Sequence, residues 1–202
     1  MVNNRIDIRS ANRGDVSAIL EIYTPFVLET PVTFEETVPT PEEMEARIAT
    51  ILEKSPFLVC EVNGKIAGYA YASRHRDREA YRWAKESSVY VHPDFYRKKI
   101  GLALYTTLIE ILVNQGVTLL LAGITLPNHP SVSFHESIGF RKVAHYNAIG
   151  YKMGRWQNVG WWELNLNPGN KPPIVQLISF PEIQKSNIFQ VAITKGLYKI
   201  SL

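Results

Sequence analysis

The sequence predicts an α/β (α+β) protein: a mixed central sheet of about seven strands flanked by about four helices. Three observations carry that expectation. Asn63-Gly64 stands between two apolar runs, Phe57–Val62 and Ile66–Ala72, which is the strongest short-range signal for a β-hairpin. Thr40-Pro41-Glu42-Glu43 reads as a capping box, with Thr40 as cap, Pro41 in the first helical position and Glu43 in the third. Glu86 to Gly116 reads as a strand, a short basic turn and a helix, followed by the apolar run Val117–Ile124. A strand–helix–strand crossover of this kind makes its flanking strands parallel.

The remaining elements follow in chain order. Ile6 and Ile8 alternate with polar residues in a first strand. Asp15 is placed to cap a helix carrying Val16, Ile19, Leu20, Ile22 and Tyr23, which Thr30-Pro31 breaks. The capping box at Thr40 opens a second helix ending near Lys54. In the third helix Leu104, Leu108, Ile111 and Leu112 keep one face buried, and Gly116 ends it. Val117–Ile124 is apolar enough to be covered on both faces of the sheet. Asn128 starts a short helix that stops before Gly139, and two strands follow, Phe140–Ala148 and Val159–Leu166. Beyond Pro168 the composition turns to Pro-Gly-Asn-Lys-Pro-Pro and a weakly patterned tail. The expected organisation is one domain over residues 1–167 with an extension over 168–202.

Composition narrows the function classes. With 202 residues, 46% of them hydrophobic, the chain can bury one good core. A net charge of +3 and the lack of a long basic run argue against a nucleic-acid-binding tail. The single cysteine, Cys60, rules out an internal disulfide and sits in an apolar run, as a small buried residue would. No signal-like segment follows Met1, and no run approaches the roughly 20 apolar residues of a membrane helix. The expectation is a soluble cytoplasmic enzyme or binding domain.

Its most informative stretch is a phosphate-binding arrangement. The alternating strand Ser88-Val89-Tyr90-Val91 ends at His92-Pro93-Asp94, and Tyr96-Arg97-Lys98-Lys99-Ile100-Gly101 leads into the third helix. The first turn of a helix presents unpaired N–H groups and partial positive charge to an anion.

Read together with Glu86-Ser87-Ser88, Leu126-Pro127-Asn128-His129-Pro130-Ser131-Val132, His135-Glu136-Ser137-Ile138-Gly139-Phe140, and Gly150-Tyr151-Lys152 to Gly160-Trp161-Trp162, this stretch resembles the GCN5-related N-acetyltransferase (GNAT) superfamily. The similarity is greatest to its phosphinothricin and methionine sulfoximine N-acetyltransferase branch and spans Ile6 to Leu166. The resemblance implies acetyl-coenzyme A as co-substrate, with no metal. It places the pyrophosphate at Tyr96, Arg97, Lys98, Lys99, Ile100 and Gly101, and the pantetheine along the strand edge of Val89, Tyr90 and Val91 and at Asn128. The turn departs from the family pattern: Tyr96 stands where Gln or Arg is usual, and Lys99 replaces the first glycine. Lys99 is therefore expected to hold a helical φ or to shift the loop.

The resemblance also implies the chemistry. Only a neutral amine attacks a thioester, so an amino-acid acceptor needs a general base. Glu86 matches the carboxylate the branch uses for this, directly or through water. His135 matches a position that serves as acid or assists as base. An amino-acid carboxylate calls for arginine, and Arg78 and Tyr81 match substrate-contacting positions, with Arg76 in reserve. Phe34 is expected to wall the pocket or to anchor its own loop. These residues point to acetyl transfer to the α-amine of phosphinothricin, methionine sulfoximine or methionine sulfone by direct attack in a ternary complex. Another amine acceptor, or a non-catalytic acetyl-coenzyme A sensor, remains open. A homodimer is expected by analogy, with Trp156, Trp161 and Trp162 as either interface or core. A small-molecule acceptor is the expected partner, and neither nucleic acid nor membrane is.

Overall fold

The computed structural model describes residues 5–201. The first four residues, on which the expectation about a leader after Met1 partly falls, and residue 202 lie outside the described ones. The elements run β1 (Ile6–Ser10), α1 (Val16–Glu29), α2 (Pro41–Leu52), β2 (Phe57–Val62), β3 (Lys65–Arg74), β4 (Ala84–Val91), α3 (Ile100–Gln115), β5 (Leu119–Leu126), α4 (His129–Ser137), β6 (Arg141–Lys152), β7 (Arg155–Asn165), α5 (Phe180–Gln184) and α6 (Asn187–Leu197). The seven strands form one sheet in the order β1-β2-β3-β4-β5-β7-β6. All neighbours are antiparallel except β4 and β5, which flank the α3 crossover and run parallel as expected.

Alternation along the strands sorts side chains between two cores. On β2, Phe57 and Val59 pack under α1 and α2, whereas Leu58, Cys60 and Val62 join Leu104, Leu108 and Leu112 of α3 on the other face. The hairpin turn is as the sequence predicts, with Asn63 and Gly64 both at positive φ. Thr40 and Glu43 form the reciprocal capping box of α2.

Four local expectations are corrected. Asp15 does not cap α1 with its side chain. Both of its carboxylate oxygens are taken by Arg9 at 2.7 Å, one also accepts from the Asn12 amide at 2.8 Å, and Asn12 caps the preceding turn. β5 starts two residues late because the Val117 N–H bonds back to the Leu112 carbonyl and closes the end of α3. β6 and β7 extend beyond the predicted strands and meet at a two-residue turn, Met153-Gly154, with both φ positive. A bulge between Tyr146 and Gly150, with Ala148 at φ +49, breaks the period-two pattern that would have announced the longer hairpin.

The last correction concerns the helix count, because two helices form beyond Pro168. Phe180, Ile183, Phe189, Ala192 and Ile193 are buried in the same cluster as Ile8 and α3. Gly196 makes this close approach possible: a Cβ there would lie 2.1 Å from Thr107 Oγ1 and 2.7 Å from the Ala103 carbonyl. Past α6, the Ser201 N–H reaches the Lys98 carbonyl at 3.3 Å, so the chain's end is tied to the basic turn.

Candidate active site

Pairing between β4 and β5 is short. It joins Ala84 to Leu119, Lys85 to Leu120 and Glu86 to Leu121, and there it stops. β4 continues against β3 as far as Val91, and β5 continues against β7 as far as Leu126. The two strands therefore part after Glu86, and the β5-facing edge of Val89–Val91 carries no strand partner. Backbone polar groups left this way seek a ligand or water. The side chains are otherwise committed: Val89 and Val91 pack on the α3 side, and the Tyr90 ring sits edge-on to Tyr23 and Phe26 at 5.2 and 5.0 Å. Core packing and backbone availability coexist on one strand.

The basic turn lies at the open end. Tyr96 and Arg97 are exposed, Arg97 has φ +61, and the Lys98 ammonium lies 5.0 Å from the centre of the Phe95 ring. Lys99 is in the left-handed region at φ +60, ψ +19, not the helical φ expected of a lysine. It adopts the conformation that suits glycine, at a cost of roughly 1–2 kcal/mol. Ile100 anchors the turn in the core, and Gly101 sits beside Val91 and Phe134 with an ordinary helical φ. The amides of Ile100, Gly101 and Leu102 head α3 with no helical carbonyl behind them.

Glu86 stands where pairing ends, its side chain about a third exposed. Its Oε1 is held by His75 Nδ1 at 2.6 Å. The His75 ring is set edge-on between Tyr81 at 6.0 Å and Trp161 at 5.9 Å. Trp161 comes from β7, opposite Gly123 of β5, and its ring lies over that glycine.

His135 is buried in α4, with Tyr105, Phe134 and Phe140 edge-on around it. Nδ1 donates to the Ser131 carbonyl at 2.8 Å, which leaves Nε2 as an acceptor facing the Tyr105 hydroxyl at 3.0 Å. That hydroxyl also lies 3.0 Å from Ser87 Oγ, and Ser87 donates to the Leu121 carbonyl. Burial pulls the imidazole below its ordinary range, partly offset by the Ser131 bond. A neutral ring leaves one phenolic proton for two acceptors.

These features coincide with a known family. The family model described as an acetyltransferase (GNAT) domain matches residues 8–161. The chain belongs to the GNAT acetyltransferase family. Phosphinothricin N-acetyltransferase of Streptomyces viridochromogenes is 36% identical over 85% of this chain and 96% of its own length. The L-methionine sulfoximine/L-methionine sulfone acetyltransferase of Salmonella typhimurium is 36% identical over 82% and 97%. A solved phosphinothricin acetyltransferase from Sinorhizobium meliloti, in complex with acetyl-coenzyme A, superposes with a TM-score of 0.81 at 33% identity, covering 87% of this chain and 96% of that one. The expected fold, family and enzyme class hold: the chain is an acetyl-coenzyme A-dependent N-acetyltransferase.

The acetyltransferase has features that fit its co-substrate. A free backbone edge suits a chain of amides, and the exposed amides heading α3 suit a pyrophosphate. Asn128 Oδ1 caps α4 by accepting from Ser131 N–H at 3.2 Å, and its amide nitrogen has no protein partner among the described residues. A cavity of about 490 Å³ also reaches Asn128, but it opens on the α4 face of His129, Val132 and Glu136 rather than that of Ser131 and His135.

The loop residues fall into different roles. Arg78 is exposed, its carbonyl accepts from Tyr81 N–H at 3.0 Å, and its guanidinium joins no described hydrogen bond or salt bridge and so is available to a ligand. Arg76 is not free in this way, since its Nε donates to His75 Nε2 at 3.3 Å. Phe34 keeps 41% of its surface exposed while its ring lies across Gly150, where a Cβ would be only 2.3 Å away. Lys152 holds that loop by donating to the carbonyls of Val27, Thr33 and Glu35 at 2.7–2.8 Å. Sequence reasoning gives no role to His75, nor to Lys152 although it stands in the Gly150-Tyr151-Lys152 motif, because the groups each side chain meets are distant in sequence. The three tryptophans part company: Trp162 is core and donates to Glu136, Trp161 lines the site, and Trp156 is 64% exposed.

Proposed function

We propose that this acetyltransferase moves the acetyl group of acetyl-coenzyme A to the α-amine of a small amino-acid-like acceptor, with phosphinothricin, methionine sulfoximine and methionine sulfone as candidate acceptors. The observation that carries the proposal is a carboxylate, Glu86, held where β4 and β5 part and bordered by the arginine-rich loop at 74–82. Glu86 takes a proton from the acceptor's ammonium. The neutral amine then attacks the acetyl carbonyl as the thiolate leaves, and Arg78 with Tyr81 engages the acceptor's carboxylate. His135 has both ring nitrogens bonded to protein groups, which supports a positioning part: it fixes α4, and with it Asn128, against Tyr105 and β4. Direct transfer is favoured over a cysteine intermediate because Cys60 is fully buried and burial pushes its thiol up to about 12.

A polyamine acceptor would need an acidic site, whereas the loop at 74–82 carries four arginines and its Glu79 is already paired with Arg74 and Arg82. Exposed Val143, Tyr146, Ile149, Tyr151, Met153 and Trp156 on the long hairpin support a homodimer through that face. No helix among the described residues is long and apolar enough to cross a membrane, and a cytoplasmic setting is part of the proposal.

The test is a thiol-release assay with a panel of amino acids and amines. Turnover of methionine sulfoximine, reduced about 10²–10⁴-fold in Glu86→Gln with acetyl-coenzyme A binding retained, is the expected result. Coenzyme binding without turnover of any acceptor would mark a sensor instead.

A further inference from the structure

Glu86 alone is poorly fixed for a base. Its side chain is partly exposed, and the terminal torsion of a glutamate is soft and roughly two-fold. The structure supplies a second residue that removes this freedom. His75 lies just past the end of β3, its Nδ1 2.6 Å from Glu86 Oε1. Its Nε2 accepts from Arg76 Nε at 3.3 Å. A guanidinium can only donate, so Nε2 must be the lone-pair nitrogen and Nδ1 must carry the proton. That tautomer matches an ionised carboxylate, so Arg76 selects from outside the ring orientation and proton position that Glu86 needs. Tyr81 and Trp161 fix the plane of the ring from two further segments. Three other charged groups of the loop are engaged elsewhere: Arg74 bonds the carbonyls of Arg76 and Asp77, and Glu79 pairs with Arg74 and Arg82.

We propose that His75 is a positioning residue for the catalytic base: it pins Oε1 of Glu86 and leaves Oε2 to meet the acceptor's ammonium, with Arg76 setting its tautomer rather than binding substrate. The proposal rests on Glu86 being the base. It gives His75 no proton to exchange with the substrate, because its one N–H stays on Glu86 throughout. The advantage is preorganisation, since a base that must first find its rotamer loses effective concentration at the reacting amine.

The kinetic test compares His75→Phe, His75→Asn, Glu86→Gln and the double variant Glu86→Gln/His75→Phe, with acetyl-coenzyme A and methionine sulfoximine. His75→Phe, whose ring suits the edge-on aromatic setting, should lower kcat about 10-fold with the KM for acetyl-coenzyme A unchanged. His75→Asn, whose amide N–H can stand where Nδ1–H stood, should recover most of that loss. The double variant should be no slower than Glu86→Gln alone, because positioning has nothing left to position. A wild-type kcat in His75→Phe, with Glu86→Gln crippled, overturns the role of His75 and leaves the base intact. Near-normal turnover in Glu86→Gln overturns both. A readout that needs no turnover is the imidazole ¹⁵N spectrum of the histidine-labelled protein, assigned by the signal missing from His75→Asn. A protonated Nδ1 beside an unprotonated Nε2 in the unmodified protein supports the proposal, and a protonated Nε2 there overturns it.

Discussion

Along β4, Lys85 and Glu86 are bonded to strands on both sides, whereas Val89 to Val91 are bonded only to β3. The closed half is rigid in the ordinary way of a sheet interior. Leu120 opposite it is fully buried, and Ser87, one residue beyond Glu86, enters a buried chain of hydrogen bonds through Tyr105 to His135. The open half keeps its side chains in the two cores and its backbone edge uncommitted. One strand thus holds the proposed base at its closed end and presents an unpaired backbone edge at its open end, a few residues apart. The division of labour depends on where the pairing stops.

Truncation gives the largest expected contrast between the two halves. Leu120→Ala, in the closed half, should cost about 2–5 kcal/mol in denaturant unfolding. Val91→Ala, half-buried beside the open edge, should cost about 1 kcal/mol and act mainly on the KM for acetyl-coenzyme A. Equal costs would mean that the open edge is as tightly packed as the closed one.

Next in size is a dependence on pH that enters through His135. Burial lowers its protonation range, so below the ordinary histidine value of about 6.5 the unfolded chain binds more protons there than the folded one. Stability should therefore fall as pH drops below about 6.5, by at most about 1.4 kcal/mol per unit from this group. Urea midpoints at about pH 7.5 and about pH 5.5 check it, and His135→Phe should flatten that part of the slope.

The smallest effect belongs to the turn at the open end. Lys99→Gly relieves the left-handed strain at φ +60 but loosens the unfolded chain, so the net stability change should stay within about 1 kcal/mol. The KM for acetyl-coenzyme A should rise a few-fold and depend less on salt, if the lysine's charge contributes to holding the pyrophosphate. An unchanged KM and salt dependence would leave the backbone amides as the whole of that site.

Much of this architecture was legible in the residues. The Asn63-Gly64 turn, the Thr40–Glu43 box and the Asn128 cap are local, because each is decided by a few neighbouring atoms. The parallel pair followed from the crossover. Less legible was anything set by a bulge or a distant contact: the long β6–β7 hairpin hid behind the irregularity at Ala148, and α5 and α6 have a weak pattern of their own but a complementary surface in α3 and β1.

By itself, then, the sequence determined the family, the existence of the seven strands and first four helices and the Thr40 and Asn128 caps, and its resemblance to that family implied a site around Glu86, Asn128 and the basic turn. Tertiary structure alone decided that β4 and β5 part after Glu86, that Lys99 takes a glycine's conformation, and that His75 meets Glu86 across an 11-residue separation. The reason is physical. Periodicity and capping are properties of adjacent residues, whereas a strand's loss of its partner and a ring's orientation between Glu86, Tyr81 and Trp161 depend on segments that only folding brings together.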